Sequence, residues 1–394
     1  MERIYFDNSA TTRLDPRVIE AMLPYFDRWY GNASSLHSFG REASDALVEA
    51  REMTAKAIGS KPQEIVFTSG GTESDNLAIQ GAAFANREAG DHIVTSAFEH
   101  HAVLNTCRFL EGQGFRVSYL PVSSSGLVEP EAIKAVMTKR TILVSIMAAN
   151  NEIGTIQDVR EIGGIAHDNG SLFHTDAVQA IGKMPLDVEK HNIDLLAISA
   201  HKFHGPKGAG ALFVRNGTKL RPLVQGGGQE RGLRSSTENV PGIVGLGKAI
   251  ELAKLEMEEN VARMTSIRER IIDATLAGVD GCHLNGDRQR RLCNNAHFRF
   301  DYIDGEALVL NLDVKGIAAS TGSACSARST ETSHVLQAIG ISGENARGSL
   351  RITLSKMSNM AEAERYLEAI AEVVSRLRAI SPVAMLAKQR KGGV

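Results

Sequence analysis

The sequence predicts an α/β protein in which helices cover both faces of a largely parallel β-sheet. Short apolar segments rich in Val, Ile and Leu alternate with helical segments between about residues 60 and 215. Apolar runs of this length are typical of strands that are buried on both faces. Strands separated by helices favour parallel pairing, because the crossover helix returns the chain to the same end of the sheet.

The segments follow this alternation in chain order. A strand at residues 64–69 precedes a helix that begins near Thr72, and a strand at His92–Ser96 precedes a helix after Glu99. The further predicted strands are residues 115–122, 141–148, 172–177, Leu195–Ser199 and Gly210–Val214, with a helix at 130–137. Ligands of such folds bind at the carboxyl ends of the strands, so polar residues that directly follow a strand are candidates for a site.

A second, smaller α/β pattern follows a long helical stretch at residues 240–276. It consists of a strand at Asn295–Phe300, a helix at 305–312, a strand at 349–354 and a helix at 361–380. We therefore predict two domains. The large domain is residues 15–250, and the small domain is residues 251–394 together with residues 1–14, which we expect to pack back on it.

Composition and charge exclude several classes of protein. Hydrophobic residues make up 43% of the 394 residues, which is enough for a sizeable core. The formal net charge is only −2, so no field is available to hold nucleic acid or an anionic membrane. The chain has no apolar run long enough to cross a bilayer and no signal-peptide pattern at its N-terminus. We expect a cytoplasmic enzyme that acts on a small substrate.

The four cysteines differ in their surroundings; they are Cys107, Cys282, Cys293 and Cys325. None forms a CxxC pair, so neither a zinc site nor a redox dithiol is indicated. Cys107 lies in a helical pattern and is expected to be buried as a small apolar side chain. Cys325 lies among small residues, which favours an accessible loop, and Arg328 would favour its thiolate. From the residues alone, Cys325 is either a reactive thiol or an inert one.

Two strand ends carry residues that suit one cofactor. Lys202 follows the strand Leu195–Ser199 and is flanked by histidines, so it is either a Schiff-base lysine or a surface lysine in a turn. Asp176 ends the strand at 172–177, where it could pair with a pyridinium nitrogen or simply cap the next helix. One helix and one strand fit in the interval between Asp176 and Lys202, which suits two groups on neighbouring strands.

A third strand end is rich in glycine. The segment TSGGTESDN at residues 68–76 joins a strand to a helix, and backbone N–H groups at such a turn can face an anion. The segment is not a GxxxxGK[ST] loop, so nucleotide binding is not indicated. A glycine-rich turn alone is a weak signal, and it gains weight from the two residues above.

Taken together, the motifs resemble those of one family along almost the whole chain, from about Tyr5 to Leu377. The matching segments are YFDNSATT, GNASSLH, TSGGTESDN, EHHAV, NNEIG, HTDAVQAIGK, SAHKFHGPKG, RSSTENVPGIVG and TGSACSA. They occur in the order seen in cysteine desulfurases of the NifS/IscS type, which are class V aminotransferases that use pyridoxal 5′-phosphate (PLP). The resemblance implies the PLP-dependent transferase (aspartate aminotransferase-like) fold, with a large domain and a small C-terminal α/β domain.

The resemblance also implies a set of cofactor ligands. Lys202 resembles the lysine that binds the cofactor covalently, His100 the histidine that stacks on the ring and relays protons, and Asp176 the partner of the pyridine nitrogen. Further cofactor contacts are implied for Gln179 (phenolic oxygen), Asn151, and the phosphate ligands Gly71, Thr72, Ser199 and His201. Thr237 resembles a threonine that reaches the phosphate of the other subunit, which implies a homodimer.

Substrate binding and sulfur transfer are implied at three positions. Asn151 and Arg351 resemble the pair that binds the carboxylate of L-cysteine, although Asn150 is adjacent and only the register favours Asn151. Cys325 resembles the cysteine that receives the sulfur as a persulfide. The implied acceptor is an iron–sulfur cluster scaffold protein. No permanent metal site is expected, and transient binding of an iron–sulfur cluster through Cys325 stays open.

Two other functions remain open on these residues. An aminotransferase or a selenocysteine lyase would share the fold, although TGSAC and the long segment that follows it argue against both. A non-catalytic cluster carrier would use Cys325 as a ligand, which the set of Lys202, Asp176 and His100 argues against. One departure from the family pattern is Ser236, which stands in RSSTENV where glycine is usual.

Overall fold

The computed structural model describes residues 3–322 and 332–382. Its strands are β1 (Ile4–Tyr5), β2 (Ile65–Thr68), β3 (His92–Ser96), β4 (Arg116–Leu120), β5 (Thr141–Ser145), β6 (Leu172–Asp176), β7 (Leu195–Ser199), β8 (Gly210–Val214), β9 (Cys282–Leu284), β10 (Asn295–Phe300), β11 (Ile317–Ala318) and β12 (Ser349–Thr353). Its α-helices are α1 (Pro16–Met22), α2 (Pro24–Asp27), α3 (Ser38–Ile58), α4 (Gly71–Ala85), α5 (His101–Gly112), α6 (Pro130–Val136), α7 (Val159–Asp168), α8 (Val240–Leu255), α9 (Met257–Gly278), α10 (Gly305–Val314), α11 (His334–Ala338), α12 (Glu344–Arg347) and α13 (Met360–Ile380).

A seven-stranded sheet forms the centre of the larger part, in the order β2-β8-β7-β6-β5-β3-β4. The strands β4, β3, β5, β6 and β7 are parallel, whereas β8 is antiparallel to both β7 and β2. Only residues 200–209 separate β7 from β8, which is too short for a crossover helix and forces the chain to return antiparallel. The sheet is thus mostly parallel, as the sequence predicts, and its exception lies at the segment that carries Lys202.

Both faces of this sheet are buried beneath helices. Alternate residues of one strand point to opposite faces, so Ile198 packs with α3, α7 and α8, while Leu195 packs with α4 and α5. Cys107 lies fully buried in the α4–α5 layer, as expected of a small apolar side chain. Burial raises the pKa of its thiol to about 12, so this cysteine is inert at neutral pH.

The smaller part has its own sheet and core. The antiparallel sheet β12-β10-β9 packs with α9, α10 and α13, and β1 pairs with β11 in a separate two-stranded sheet. Ile4 and Phe6 belong to this second core. The apolar residues of α8 belong to the first core and those of α9 to the second. The domain boundaries at residues 14/15 and 250/251 stay a prediction.

Two predicted elements are wrong in detail. The helical stretch at residues 240–276 is two helices, because Glu256 leaves helical geometry with φ −94° and ψ 3°. The strand predicted at 141–148 ends at Ser145, and the apolar residues that follow lead into the turn of NNEIG. In the described ranges, no helix is long and apolar enough to cross a membrane.

Candidate active site

A cavity of about 330 Å³ opens at the carboxyl ends of the parallel strands. Residues that follow β2, β3, β6 and β7 line it from the larger part, and Arg351 of β12 lines it from the smaller part. Ten of the predicted site residues lie on its wall, namely Gly71, Thr72, His100, Asn151, Asp176, Gln179, Ser199, His201, Lys202 and Arg351. The fold therefore brings together these ten residues, which are up to 280 positions apart in the sequence, from Gly71 to Arg351.

Lys202 ends the short 3₁₀ turn that follows β7, and its side chain enters the cavity. Its Nζ donates hydrogen bonds to the carbonyl oxygens of Ser9 at 2.6 Å and Ala10 at 2.8 Å. Burial, and then the positive charges of Arg351 and Lys183, lower the pKa of Lys202 to about 8. The neutral form of this amine, which a nucleophile or base requires, is therefore far more populated near neutral pH than in an ordinary lysine.

Asp176 closes β6 and faces the same cavity. Its Oδ1 accepts a hydrogen bond from the backbone N–H of Val178 at 2.9 Å. One oxygen of Asp176, one of Asp75 and a ring nitrogen of His100 all lie within 4.8 Å of one another. Burial raises the pKa of Asp176, while the charges of His100 and Lys202 act in the opposite direction. A cationic ring nitrogen bound here would stabilise the charged form of this buried carboxylate.

His100 occupies the position before α5 and caps that helix. Its Nδ1 accepts a hydrogen bond from the backbone N–H of Ala102 at 3.1 Å. Nδ1 is therefore unprotonated, and the neutral ring carries its hydrogen on Nε2. Burial lowers the pKa of His100, which favours the neutral form at neutral pH. The ring can thus exchange a proton through Nε2 alone.

The N-terminus of α4 forms the anion-binding end of the cavity. Gly70 precedes the helix and supplies no side-chain cap, so the first backbone N–H groups of α4 remain available. A Cβ at Gly71 would lie 2.7 Å from Cγ2 of Val178, so only glycine fits this approach of helix and turn. Thr72, Ser199 and His201 add polar side chains around the same end. This environment suits a phosphate.

The two adjacent asparagines of NNEIG separate clearly. Asn150 is fully buried, and its Oδ1 accepts hydrogen bonds from the backbone N–H groups of Glu152 and Ile153, which shapes the turn. Asn151 instead lines the cavity. Only Asn151 is thus positioned to contact a bound molecule.

Arg351 is almost completely buried, and its guanidinium is only partly satisfied. Nη1 donates to the carbonyl oxygens of Asn151 at 3.0 Å and Gly322 at 2.8 Å, and Nη2 donates to Oδ1 of Asp7 at 2.8 Å. Its Nε has no hydrogen-bond partner in the ranges that the structure describes. A buried donor left without a partner is costly, so the site is prepared for an anionic group.

Gln179 and Lys202 both donate hydrogen bonds to the N-terminal segment of the chain. Its Nε2 donates to the carbonyl oxygen of Ser9 at 3.0 Å, and one hydrogen of the amide remains for another acceptor. Its buried Oε1 has no partner among the described residues.

One predicted site residue stands apart from the cavity wall. Thr237 is exposed and does not line the cavity. Its neighbour Ser236 has a φ of +140°, a conformation that favours glycine, so the backbone keeps the geometry that glycine would adopt. Cys325 and Arg328 lie outside the described residues. The chain on either side is held at the cavity, since Arg351 binds the carbonyl of Gly322 and Ser333 Oγ donates to Glu152 Oε2 at 2.6 Å.

The sequence did not point to several residues of the cavity. Asp75 is the most important, because it is fully buried and its Oδ1 has His174 Nε2 at 3.5 Å but no hydrogen bond within the described part of the chain. Burial, followed by the charges of Asp176 and Glu99, raises its pKa. Its position one helical turn after Gly71 could have signalled that it faces the same cavity. Ser9 and Ala10 contribute only backbone carbonyls, which leave no signal in the sequence.

Comparison with known proteins identifies the family. A model described as aminotransferase class-V matches residues 4–365. The cysteine desulfurase IscS of Methanosarcina thermophila is 54% identical over 380 residues, which are 96% of this chain and 94% of that protein. The cysteine desulfurase IscS of Dictyoglomus turgidum is 51% identical over 379 residues, which are 96% of each chain. The chain belongs to the cysteine desulfurase family.

Solved structures agree with this assignment to the cysteine desulfurases. A NifS-like protein is 42% identical, with a TM-score of 0.90 over 95% of this chain and 100% of that one. SspA in complex with cysteine is 39% identical, with a TM-score of 0.80 over 90% of this chain and 100% of that one. The fold is therefore the PLP-dependent transferase fold of these enzymes, and the chain is a PLP-dependent cysteine desulfurase.

The cavity of this desulfurase fits PLP on chemical grounds. The open N-terminus of α4 suits the phosphate, and the amine of Lys202 suits the aldehyde. The buried acids Asp75 and Asp176 suit a protonated ring nitrogen. The guanidinium of Arg351, a residue of the same wall, suits the carboxylate of an amino acid.

Proposed function

We propose that this desulfurase takes the sulfur of L-cysteine, releases L-alanine and holds the sulfur as a persulfide on Cys325. The observation that carries the proposal is the cavity itself. It combines an amine of lowered pKa on Lys202, a buried acid at Asp176 and an unsatisfied guanidinium on Arg351. An amino-acid substrate requires all three, for covalent attachment, for charge on a ring nitrogen and for its carboxylate.

Substrate binding begins at Arg351 and Asn151. Arg351 lines the cavity and is already held on one side by Asp7, so its planar guanidinium can bind a carboxylate. The side-chain amide of Asn151 lies on the same wall. The buried position of Arg351 strengthens this contact, because little water competes for the guanidinium. These two residues hold the substrate by its carboxylate on this wall of the cavity.

Proton transfer belongs to Lys202 and His100. PLP, when bound, acts as an electron sink that stabilises negative charge at Cα of the substrate. Lys202 Nζ accepts the Cα proton, and the carbonyls of Ser9 and Ala10 hold the amine in place. His100 relays a proton through Nε2, because its Nδ1 is committed to Ala102. Asp176 would hold the protonated ring nitrogen of the bound cofactor.

Sulfur transfer is assigned to Cys325. Its thiolate attacks the sulfur of the bound substrate, so that a new S–S bond forms as the substrate's C–S bond breaks and the electron pair of that bond remains with the organic product. After protonation, L-alanine leaves. Support comes from the motif TGSAC and from the anchoring of Gly322 and Ser333 beside the cavity.

A homodimer is supported by an exposed apolar surface near the N-terminus. Its large side chains are Ile19, Leu23, Phe26, Tyr30, Leu36 and Phe39, of which Leu36 is 93% exposed. Isolated apolar residues on a surface are ordinary, but a cluster of this size indicates an interface. Helix α1 of this surface packs against α8, and Thr237 lies shortly before α8. We propose that Thr237 completes the phosphate site of the partner subunit.

The acceptor proposed for the persulfide sulfur is an iron–sulfur cluster scaffold protein, as the family suggests. Transient binding of a cluster through Cys325 and the cytoplasmic location belong to the same proposal.

The test combines two variants with the purified enzyme. Wild-type protein should bind PLP, form alanine from L-cysteine and release sulfide in the presence of a thiol reductant. Lys202→Ala should lose alanine formation, whereas Cys325→Ala should keep the cofactor absorbance and lose the persulfide, detected by thiol labelling and mass spectrometry. Cys107→Ala is the matched control, because that buried thiol should not matter. Full desulfurase activity of Cys325→Ala, or transamination of a keto acid in place of sulfur release, would contradict the proposal.

A further inference from the structure

A second lysine, Lys183, lies buried behind the residues that face the cofactor. It belongs to the turn that follows β6 and is only 8% exposed. Its Nζ donates to the carbonyl oxygen of Gln179 at 3.1 Å and to that of Lys202 at 3.2 Å. Both acceptors belong to residues of the cavity wall, whereas Lys183 itself does not line that cavity. The ammonium group therefore joins the backbones of two cofactor-facing residues from behind.

Lys183 lacks the counter-charge that usually accompanies a buried cation. Within residues 3–322 and 332–382, no carboxylate lies within 4 Å of its Nζ. Burying an ammonium group with carbonyl partners alone costs stability, and burial lowers the pKa of Lys183 to about 8. Methionine or leucine would fill the same space without this cost. The charge at this place is therefore better explained by an effect on the site than by packing.

We propose that Lys183 is a positioning residue for the reaction, which holds the backbones of Gln179 and Lys202 together and places a second positive charge behind the amine of Lys202. The inference rests on the proposed function, in which the freed Lys202 takes a proton from the substrate. Arranging a second cation near a reactive lysine is a general way to activate it.

Lys183 is one of two cations that lower the pKa of Lys202. Arg351 and Lys183 lower the pKa of Lys202, while Asp176 and Asp7 raise it. The charge of Arg351 is offset in part, because this residue is paired with Asp7 at 2.8 Å. Lys183 has no such pair, so its field acts on Lys202 without an offset of this kind.

Lys202 and Lys356 line a small cavity with Lys183, and Lys356 is paired with Asp15 and Glu256. The histidines and the thiol near Lys183 are neutral at pH 7. Burial lowers the pKa of His201 and of His204 to about 4. Burial likewise raises the pKa of the Cys293 thiol to about 11, and its Sγ lies 3.8 Å from the carbonyl oxygen of Lys183. None of these groups therefore supplies a compensating charge in the working range of pH.

Three variants separate charge from packing. Lys183→Met removes the charge and the hydrogen bonds, Lys183→Gln keeps a donor without the charge, and Lys183→Arg keeps both. Loss of a positive neighbour raises the pKa of a lysine nitrogen. We therefore expect the nitrogen that joins Lys202 to the cofactor to titrate at a higher pH in Lys183→Met and Lys183→Gln. The expected increase is about 1 unit. Lys183→Arg should titrate close to the wild type.

The measurement is the absorbance of the bound cofactor during a pH titration of the holoenzyme without substrate. The acid limb of kcat for alanine formation should move upward by the same amount. Unchanged titration in a folded Lys183→Gln variant overturns the proposal, even if activity falls, because a purely structural role lowers activity without moving the pH profile. The absorbance titration needs neither L-cysteine nor Cys325. If the wild type forms no alanine and the Lys183 variants still shift the titration, the proposed function is refuted. The role of Lys183 then remains intact.

Discussion

Arg351 and Asp7 form a partly buried ion pair of 2.8 Å that joins β12 to the segment after β1. This pair fixes one edge of the guanidinium of Arg351, a residue that lines the cavity proposed for the substrate carboxylate. The arrangement explains why a point charge would not replace arginine here. A lysine ammonium could bind Asp7 or the substrate, but it lacks the planar set of donors that contacts both.

Arg351→Lys should therefore weaken substrate recognition with little effect on the cofactor. We expect kcat/KM for L-cysteine to fall by about 10- to 100-fold, which corresponds to the loss of a charged hydrogen bond. Steady-state assays of alanine formation measure the effect, and the absorbance of bound PLP should stay as in the wild type. Arg290→Lys, at an exposed position, is the control. An unchanged kcat/KM in Arg351→Lys would remove Arg351 from the substrate site.

Ser236→Gly should stabilise the protein. Ser236 is held at φ +140°, where a side chain is strained and glycine is not. Relief of this strain should increase the free energy of unfolding by about 1 kcal/mol, measured by chemical or thermal denaturation. Ser124→Gly is a matched control in an exposed loop without a positive φ, and it should lower stability slightly because glycine makes the unfolded chain more flexible. Equal effects of the two changes would argue against strain at Ser236.

Glu99 should make stability depend on pH. It is fully buried beside the site, and burial raises its pKa to about 8. Between pH 4.5 and pH 8 the folded protein keeps this proton while the unfolded chain releases it, so the stability of the folded state falls as the pH rises through this window. Glu99→Gln cannot release a proton. Between pH 5 and pH 8, the unfolding free energy of the wild type should therefore fall by about 2–4 kcal/mol more than that of Glu99→Gln.

Denaturant unfolding at the two pH values compares the pair directly. Parallel pH profiles for wild type and Glu99→Gln would mean that Glu99 is ionised in the folded protein.

Glu230→Ala should destabilise the larger part strongly. Glu230 is buried, accepts from Arg51 through both oxygens at 2.7 Å and also accepts from the backbone N–H of Phe67. Its loss leaves the guanidinium of Arg51 without this partner, at a cost of about 3–5 kcal/mol in the free energy of unfolding. Glu259→Ala breaks an exposed pair with Arg263 and should cost less than about 1 kcal/mol. Similar melting temperatures for both variants would contradict the larger cost expected for Glu230→Ala.

Local patterns predicted the central strands well, because they depend on apolar side chains that any sheet of this kind must bury. His92–Ser96, Leu195–Ser199 and Gly210–Val214 have the bounds expected from the sequence. The 21-residue helix α3 was missed, since Ser38–Ile58 carries many polar residues and its apolar stripe is narrow. The break at Glu256 was missed for a similar reason, because a single residue without glycine or proline gives no local signal.

The site shows a similar division. Polar residues directly after strands, such as Asp176 and Lys202, could be predicted as neighbours because the ends of parallel strands meet at one edge. The carbonyls that hold Lys202 could not be, since Ser9 lies 193 positions away and contributes only its backbone. Asp75 also escaped notice, because its importance arises from burial next to Asp176 rather than from its own motif.

The contacts from Ser9 and Ala10 to Lys202 have a thermodynamic consequence. A segment from the first strand of the smaller part must be docked on the larger sheet before the amine of Lys202 finds its acceptors. A ligand that binds only the docked arrangement stabilises it by mass action. We therefore expect a variant that weakens the docking of Ser9 and Ala10 to lose PLP at a lower temperature than it loses its helices.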